Sequence, residues 1–164
     1  MIGRNQALHV HGAVRWVQVG GPSIDPPHLE ALVRSPHAGA VIVFLGTTRD
    51  DAHDDGIIEA LEYEAARPLA DEELMRVAQE ATQNFHLTAI AVHHALGRID
   101  VNGSSLAVVV SAPHRAEAFA AIEWTVHAIK TRVPIWKRTV VCGSPGSGSW
   151  LPGTPVIMPT AGHS

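Results

Sequence analysis

The segment SLAVVVSAPHRAEAFAAIEWTVHAIKTRVPIWKRTVV (residues 105–141) decides the fold class. Its hydrophobic pattern predicts a strand over Ser105–Ala112, a long helix that begins at Pro113, and a second strand over Ile135–Val141. Pro134 ends the helix, because a proline inside a helix removes a backbone hydrogen bond. Apolar side chains at steps of three and four residues predict one buried stripe on this helix, formed by Phe119, Ile122, Val126, Ile129 and Val133.

Upstream of this segment, further strands alternate with helices. Helices are predicted from Pro26 to Arg34 and from Pro68 to about Phe85. The mixture of hairpins and helices favours a single α+β domain, with a mixed or antiparallel sheet and packed helices, over a doubly wound sheet. Four more strands are predicted, over Val14–Val19, Gly39–Leu45, Ile57–Glu64 and Thr88–Ala95.

Three more specific expectations concern individual strands and the turn between two of them. Residues 39–45 are apolar throughout, so we expect that strand to be buried. In the next strand, Leu61 and Tyr63 share one face because side chains alternate along a strand. A turn at Asn102-Gly103 is expected to join the last two strands before the long helix.

The composition describes one folded domain and excludes several classes of protein. Of 164 residues, 46% are hydrophobic and 17% are charged, which is enough to bury a core. The net charge of −4 argues against nucleic-acid binding. No apolar run reaches the ~20 residues of a membrane helix and no secretion signal is recognisable, so we expect a cytoplasmic protein that binds no membrane. A lone cysteine, Cys142, excludes an internal disulfide and a multi-cysteine metal site.

Charge is distributed unevenly along the chain, and its only two lysines are close in sequence. Residues 50–80 hold eleven acidic residues, whereas none follows Glu123. Lys130 lies in the last turn of the predicted long helix, and Lys137 lies on the strand after the Pro134 corner. The corner could bring the two ammonium groups together to bind an anion, and a lysine whose pKa falls beside such a neighbour can act as a base or a nucleophile. Alternatively, both are surface lysines, with Lys130 stabilising the C-terminus of the helix.

Other cations could also hold an anion. His114 and Arg115 lie at the start of the long helix, where unpaired backbone N–H groups favour phosphate or carboxylate. Arg49 lies in a polar loop that follows the apolar strand. The alternatives are a solvated turn for the His-Arg pair and ion pairing of Arg49 with the neighbouring Asp50 and Asp51. No Walker loop, G-x-G-x-x-G or zinc-binding spacing occurs, so no nucleotide or metal site is predicted.

Four motifs together resemble the large, catalytic subunit of the molybdopterin synthase family. They are GAVIVFLGTTRD (39–50), LEYEA (61–65), GRIDVNGSSLAVVVSAPHRAEAFAA (97–121) and IKTRVPIWKR (129–138), in the family's order and at about its spacing. On this resemblance, residues 16–142 form the catalytic-subunit domain. An N-terminal extension over residues 1–15 precedes it, and a Gly/Pro/Ser-rich tail over residues 143–164 follows.

The resemblance implies a hammerhead-like α+β fold and a homodimer flanked by two copies of a small ubiquitin-like sulfur-carrier subunit. It also implies the reaction. Sulfur passes from the thiocarboxylated Gly-Gly C-terminus of the carrier to cyclic pyranopterin monophosphate, which gives the dithiolene of molybdopterin. No metal or other cofactor is implied for this step.

The resemblance also assigns roles to individual residues. Lys130 is implied to be the main catalytic group, and Lys137 to position the substrate and stabilise charge. The His-Arg pair is implied to reach the site from the other protomer. The residues implied to bind the substrate are Phe44, Arg49, His114, Arg115 and Arg138.

The chain departs from the family's pattern in places, while both lysines and the His-Arg pair are retained. The alternative function is a divergent paralogue that binds the sulfur carrier, or a phosphorylated ligand, without turnover. The departures are in the C-terminal tail and at Ala66, His94, Ser104, His127 and Thr139.

Overall fold

The computed structural model describes residues 13–21, 23–53, 56–142 and 150–151. These residues form three helices, α1 (Pro26–Val33), α2 (Leu69–Asn84) and α3 (Arg115–Arg132). They also form nine strands, β1 (Ala13–Val19), β2 (Ala40–Thr47), β3 (Ala52–His53), β4 (Gly56–Ala65), β5 (Ala89–His94), β6 (Gly97–Asp100), β7 (Ser104–Ala112), β8 (Ile135–Val141) and β9 (Trp150–Leu151). The predicted α+β fold is confirmed.

A four-stranded sheet in the order β1-β5-β7-β2 forms the centre of the fold. β5 runs parallel to β1 and antiparallel to β7, and β7 is antiparallel to β2. All of β5 is buried, as are Ser105–Ala112 of β7, because helices cover both faces of these two strands. Alanine and valine make up half of β5 and more than half of β7, and their small side chains allow helices to pack closely on either face.

Different helices cover the two faces of the central sheet. α1 packs through Leu29 and Val33 on the face that carries Ala91 of β5. α2 and α3 pack on the opposite face, where Leu74 of α2 belongs to the same core as Val92 of β5. Neighbouring residues of β5 therefore point into different cores, as the alternation of a strand requires.

A second sheet lies beside one end of the first. β4 pairs antiparallel with β8, from Ile58 opposite Val141 to Ala65 opposite Ile135. β4 also pairs with β3 and β6, and β8 pairs with β9. Because α3 ends at Arg132 and β8 begins at Ile135, the last turn of α3 lies directly beside this second sheet.

The expectation that residues 39–45 form a buried strand is correct for the strand and wrong for its burial. β2 lies at the edge of the central sheet, and Val43 and Leu45 are 39% and 38% exposed. Only Val41 on that face of β2 packs against the α1 core. An apolar run therefore marks an exposed edge here, because α1 is too short to cover the far end of β2.

The connection between β5 and β7 is more elaborate than the predicted single turn. The two strands do pair antiparallel, and the turn is confirmed, with a φ of 67° at Asn102 and the Gly103 N–H donating to the Asp100 carbonyl at 2.8 Å. β6, which was not predicted, precedes the turn and pairs with β4. Its four residues are too few to show a strand period in the sequence.

The predicted apolar stripe on α3 is correct near its C-terminal end and wrong near its start. Ile129 and Val133 are buried, whereas Phe119 is 62% exposed. Small residues occupy the buried face because α3 lies close to both the sheet and α2, where a larger side chain would not fit. The buried residues of α3 are Ala118, Ala121, Thr125, Ala128 and Ile129.

The predicted N-terminal extension and C-terminal tail lie largely outside the residues that the structure describes, at residues 1–12, 143–149 and 152–164. β1 begins at Ala13, inside the predicted N-terminal extension, and β9 lies inside the predicted tail. Within the described ranges, no helix is long and apolar enough to cross a membrane.

Candidate functional site

A cleft of about 760 Å³ opens where the two sheets meet the last turn of α3. Its walls come from the end of β2 and the following loop, from one face of β4 and β8, and from the α3–β8 corner. Its lining residues are Phe44, Gly46, Thr47, Arg49, Asp51, Ala52, Ile58, Leu61, Tyr63, His94, Ser105, Leu106, Ile129, Lys130, Val133, Ile135, Trp136, Lys137 and Thr139.

Strand alternation places Lys137 in the cleft. It lies directly opposite Tyr63 in the β4–β8 ladder, and Leu61 lies opposite Thr139 on the same face. The predicted sharing of one face by Leu61 and Tyr63 is confirmed, since both line the cleft. Arg138 is on the other face, where its Nε donates to the Glu62 carboxylate at 2.7 Å.

The α3–β8 corner places Lys130 at the rim of the cleft. Lys130 is exposed and directly follows buried Ile129 in the last turn of α3. The helix ends as predicted, with the Val133 N–H donating to the Ile129 carbonyl at 3.1 Å before Pro134. Lys130 and Lys137 line the same cleft, and both are exposed, so the surface positions that the sequence left as the alternative are found together with the shared site.

Arg49 supplies a third cation to the rim. The loop that carries it is tied to the Asn102-Gly103 turn, because the Thr48 N–H donates to the Gly103 carbonyl at 3.0 Å and the Thr48 carbonyl accepts from the Asn102 N–H at 3.0 Å. Arg49 forms an exposed ion pair with Asp51 at 2.7 Å. Both the cleft position and the acidic partner that the sequence left as alternatives for Arg49 are therefore present together.

The floor of the cleft combines apolar side chains with a small neutral polar cluster. The rings of Tyr63 and His94 meet edge-on, with centroids 5.2 Å apart. Burial raises the pKa of Tyr63, and a hydrogen bond with Ser105 offsets this only in part. The Ser105 hydroxyl donates to the Gly46 carbonyl at 3.2 Å, which links the cluster to β2.

His94 is held in one neutral form. Its Nδ1 lies 2.8 Å from the Ala95 carbonyl oxygen. Because a carbonyl oxygen only accepts hydrogen bonds, Nδ1 carries the proton and Nε2 is left as an acceptor. Burial lowers the pKa of His94 to about 4, with a smaller contribution from the neighbouring His93. The ring is therefore uncharged at neutral pH, although cations line the rim above it.

The cleft unites some of the residues identified from the sequence and leaves others elsewhere. Phe44, Arg49, Lys130 and Lys137 line it, whereas Arg138 does not. His114 and Arg115 do not line it either, because they lie at the opposite end of α3. The rise of an α-helix places the start of α3 about 22 Å from its last turn.

Sequence reasoning did not assign Tyr63, His94 and Ser105 to the site. A signal existed for two of them. Alternation places Tyr63 on one face of β4, and it sends the adjacent His93 and His94 to opposite faces of β5. No local pattern shows that the end of β5 lies beneath β4, since that contact depends on how the two sheets meet.

Cys142 lies outside this cleft and is not an activated thiol. It is exposed, and its Sγ donates to the Glu59 carboxylate at 3.4 Å. The Glu59 carboxylate raises the pKa of the Cys142 thiol. Since a nucleophilic cysteine needs a lowered pKa, this environment argues against cysteine-based catalysis.

The arrangement can hold a ring system that has both apolar and polar groups and carries an anionic substituent. Phe44, Leu61 and Leu106 provide apolar contact, and Tyr63 with His94 offers neutral hydrogen-bonding groups at the floor. The cations of the rim can bind a phosphate and can also stabilise an oxyanion that forms during acyl transfer. The cleft volume lies in the usual range for small-molecule sites, ~300–1,000 Å³.

Comparisons with known proteins agree in sequence and in structure. The family model described as MoaE protein matches residues 21–132. The molybdopterin synthase catalytic subunit of Thermoplasma volcanium is 37% identical over 136 residues, which cover 82% of this chain and 96% of that relative.

Solved structures share the fold. Molybdopterin synthase from Staphylococcus aureus matches with a TM-score of 0.75 and 28% identity, covering 82% of this chain and 95% of that chain. The complex of subunits 1 and 2 of molybdopterin-converting factor from Helicobacter pylori contains a chain that matches with a TM-score of 0.64. At 20% identity, over 87% of this chain and 94% of that one, this second likeness shows a common fold alone.

Proposed function

The chain belongs to the MoaE protein family, whose members include molybdopterin synthase catalytic subunits, and we propose that its cleft performs the sulfur transfer of molybdopterin synthesis. The chain is thus an enzyme of molybdenum cofactor biosynthesis. Its substrate is cyclic pyranopterin monophosphate, and the sulfur comes from the thiocarboxylated C-terminus of a small carrier subunit. One observation carries this proposal: Lys130, Lys137 and Arg49 line one cleft whose floor is made of apolar and neutral polar side chains.

The chemistry follows from what a thiocarboxylate can do. Its sulfur attacks a carbon of the substrate and displaces an oxygen substituent, which leaves with the electron pair of the broken carbon–oxygen bond and takes up a proton. The resulting thioester joins the carrier to the pterin. Water then adds to the acyl carbon, an oxyanion develops, and the acyl carbon–sulfur bond breaks. The sulfur stays on the pterin and the carrier leaves as a carboxylate, so two such transfers build a dithiolene. Fixed ammonium groups lower the energy of the oxyanion because they need no reorganisation during the reaction.

The two lysines hold different positions relative to this chemistry. Lys130 comes from the end of a helix and lies at the rim, where an extended carrier C-terminus can enter. We assign to it the proton transfer, or a transient attack on the acyl carbon of the carrier. Lys137 lies on the paired strand β8, directly opposite Tyr63. This position suits a group that orients the substrate and balances its charge.

Arg49→Ala is expected to raise the KM for cyclic pyranopterin monophosphate about tenfold with a smaller change in kcat, because a charge-assisted hydrogen bond to the phosphate is lost. Asp51→Asn is expected to lower KM by about two- to threefold, since the Asp51 carboxylate competes with phosphate for Arg49 and exposed ion pairs are weak. Steady-state kinetics of both variants check the signs. An unchanged KM in Arg49→Ala would remove Arg49 from phosphate binding.

The edge strand β2 supports a homodimer as part of this proposal. Its outward Val43 and Leu45 are exposed, and within the described residues β2 pairs with a strand on one side only, β7. The strand carries no charged residue, so two copies can pair without repulsion. An unpaired apolar edge of this kind readily accepts another strand.

In such a dimer, the direction of β2 would bring residues of one copy to the cleft of the other. The start of β2 lies beside the start of α3, because the Gly39 N–H donates to the Ala112 carbonyl at 3.0 Å. The end of β2 lines the cleft through Phe44 and Gly46. In a two-fold antiparallel pairing, the start of each strand meets the end of the other. His114 and Arg115 of the second copy would then lie beside the cleft of the first.

Val43→Lys is expected to convert the dimer to a monomer and to abolish most turnover, because the pairing would bring two ammonium groups together at the edge. Sedimentation velocity and the turnover assay measure both effects. Ile57→Lys is the matched control, because Ile57 is 59% exposed on β4, away from the β2 edge. A Val43→Lys protein that stays dimeric would rule out pairing through β2.

The second function that the sequence left open, a paralogue that binds without turnover, is not favoured. The relatives that match most of this chain are named catalytic subunits. Both lysines are present, whereas a binding module could use arginine at either position.

A single-turnover assay tests the proposed function. Purified protein is mixed with thiocarboxylated carrier and cyclic pyranopterin monophosphate, and the dithiolene product is followed by mass spectrometry. Product formation supports the proposal. Tight carrier binding without product would instead support the non-catalytic paralogue.

A further inference from the structure

We infer that Arg132 is a positioning residue, which holds the last turn of α3 so that Lys130 stays at the rim of the cleft. This inference rests on the proposed function of the cleft and assigns a role to a residue that does not line it. Arg132 makes its contacts with α2.

The Arg132 guanidinium is held by two carboxylates of one helix. Its two terminal nitrogens donate to the Glu80 carboxylate at 2.6 and 2.8 Å, and its Nε donates to the Glu73 carboxylate at 2.8 Å. Such fork-shaped, charge-assisted contacts fix geometry as well as supplying energy. Glu73 and Glu80 lie seven residues apart, so both face the same side of α2.

The contacts of Arg132 with Glu73 and Glu80, called the Arg132 clamp below, are partly shielded from water. The side chains of Arg132, Glu73 and Glu80 are 33%, 16% and 35% exposed. Glu73 also pairs with Arg76 on its own helix, so the cluster is a small network. Networks of shielded, bidentate pairs restrict motion more than isolated surface pairs do.

Arg132 and Lys130 act on different neighbours although they share one helical turn. Two residues along an α-helix are separated by about 200° around its axis, so Arg132 faces α2 when Lys130 faces the cleft. The link between them is therefore the backbone of the last turn. A second contact holds the following corner, since the Ala66 N–H donates to the Pro134 carbonyl at 3.1 Å. With the Arg132 clamp broken, the corner remains attached while the last turn of α3 can move.

A double-mutant cycle tests this role, using the single-turnover assay with the intact carrier and substrate. Arg132→Met in the wild-type background is expected to slow product formation about ten- to a hundredfold, because small displacements of a catalytic group are costly. In the Lys130→Ala background, the same substitution is expected to have almost no further effect. Glu80→Gln, which keeps the shape of the side chain, should give a smaller loss of the same kind.

Arg98→Met is the matched control. Arg98 likewise bridges two carboxylates, with Nε donating to Asp100 at 2.7 Å and a terminal nitrogen donating to Glu59 at 3.1 Å, but it lies on β6. It should leave the rate near that of wild type. Hydrogen exchange gives a readout independent of activity, in which Arg132→Met speeds exchange at residues 129–133 more than at the start of α3.

The outcomes separate this inference from the proposed function. Absence of product with wild-type protein counts against the function itself. If wild type is active, an equal loss of rate from Arg132→Met in both backgrounds overturns the positioning role, as does an unchanged rate in folded Arg132→Met and Glu80→Gln proteins.

Discussion

Replacing Lys130 by alanine is expected to slow product formation at least about 100-fold in the single-turnover assay, which is the usual scale for loss of a group that transfers protons. Lys130 lines the cleft rim together with Lys137 and Arg49, so its removal leaves cations that can still hold the substrate phosphate. We therefore expect the loss in the rate of the chemical step and not in substrate affinity.

Lys130→Arg tests whether Lys130 contributes only its positive charge or also its ability to transfer a proton or act as a nucleophile. Arginine keeps a positive charge at the rim, but it does not give up its proton at ordinary pH and is a poor nucleophile. Carrier binding, measured by calorimetry, should survive this substitution while turnover fails. Equal single-turnover rates for wild type and Lys130→Ala would remove Lys130 from the mechanism and leave the function of the protein unchanged.

The stability of the folded protein is expected to fall on the order of 3 kcal/mol between pH 6.5 and pH 4 through His94 alone. Burial lowers the pKa of this ring from 6.5 to about 4 in the folded state. The unfolded chain therefore takes up a proton on this histidine before the folded protein does. The contribution of His94 is fully present above pH 6.5 and is lost as the pH falls through the folded pKa.

Urea unfolding at a series of pH values measures this effect. His94→Asn retains a donor for the Ala95 carbonyl but cannot be protonated in this range. The dependence of its unfolding free energy on pH should be flatter than that of wild type, by up to about 1.4 kcal/mol per pH unit. His37→Asn serves as the control, because His37 is exposed. Identical slopes for His94→Asn and wild type would show that His94 is not held neutral by burial.

The local pattern of the chain predicts helices and strands well where the hydrophobic period agrees with the positions of prolines that begin or end a helix. Pro26 and Pro134 mark where α1 begins and where α3 must end, and both boundaries are confirmed. The prediction is weaker where burial depends on distant neighbours. Phe119 fits a helical stripe but faces outward, and the apolar β2 lies at a sheet edge, because the position of α1 and α2 decides what each face meets.

The candidate site also has one part that the sequence predicted and another part that it did not. Its cations were identified from the sequence because lysine is rare in this chain and because Pro134 separates the two lysines by a tight corner. Its neutral floor was not, since Tyr63, His94 and Ser105 come from three strands of two sheets. The separation of Arg115 from Lys130 by the length of α3 could be counted in the sequence. The proposed pairing of two copies that would bring them together rests on the direction of β2 beside α3.

By itself, the sequence determined the α+β class, the boundaries of the main helices and strands, and the rim residues Arg49, Lys130 and Lys137, because these depend on local periodicity, proline placement and residue chemistry. Only the tertiary structure decided that β2 is an edge, that burial lowers the pKa of His94, and that Arg132 pairs with Glu73 and Glu80 of α2. The physical reason is that burial, sheet order and ion pairing between helices depend on residues far apart in the chain, and no local pattern encodes which of them meet.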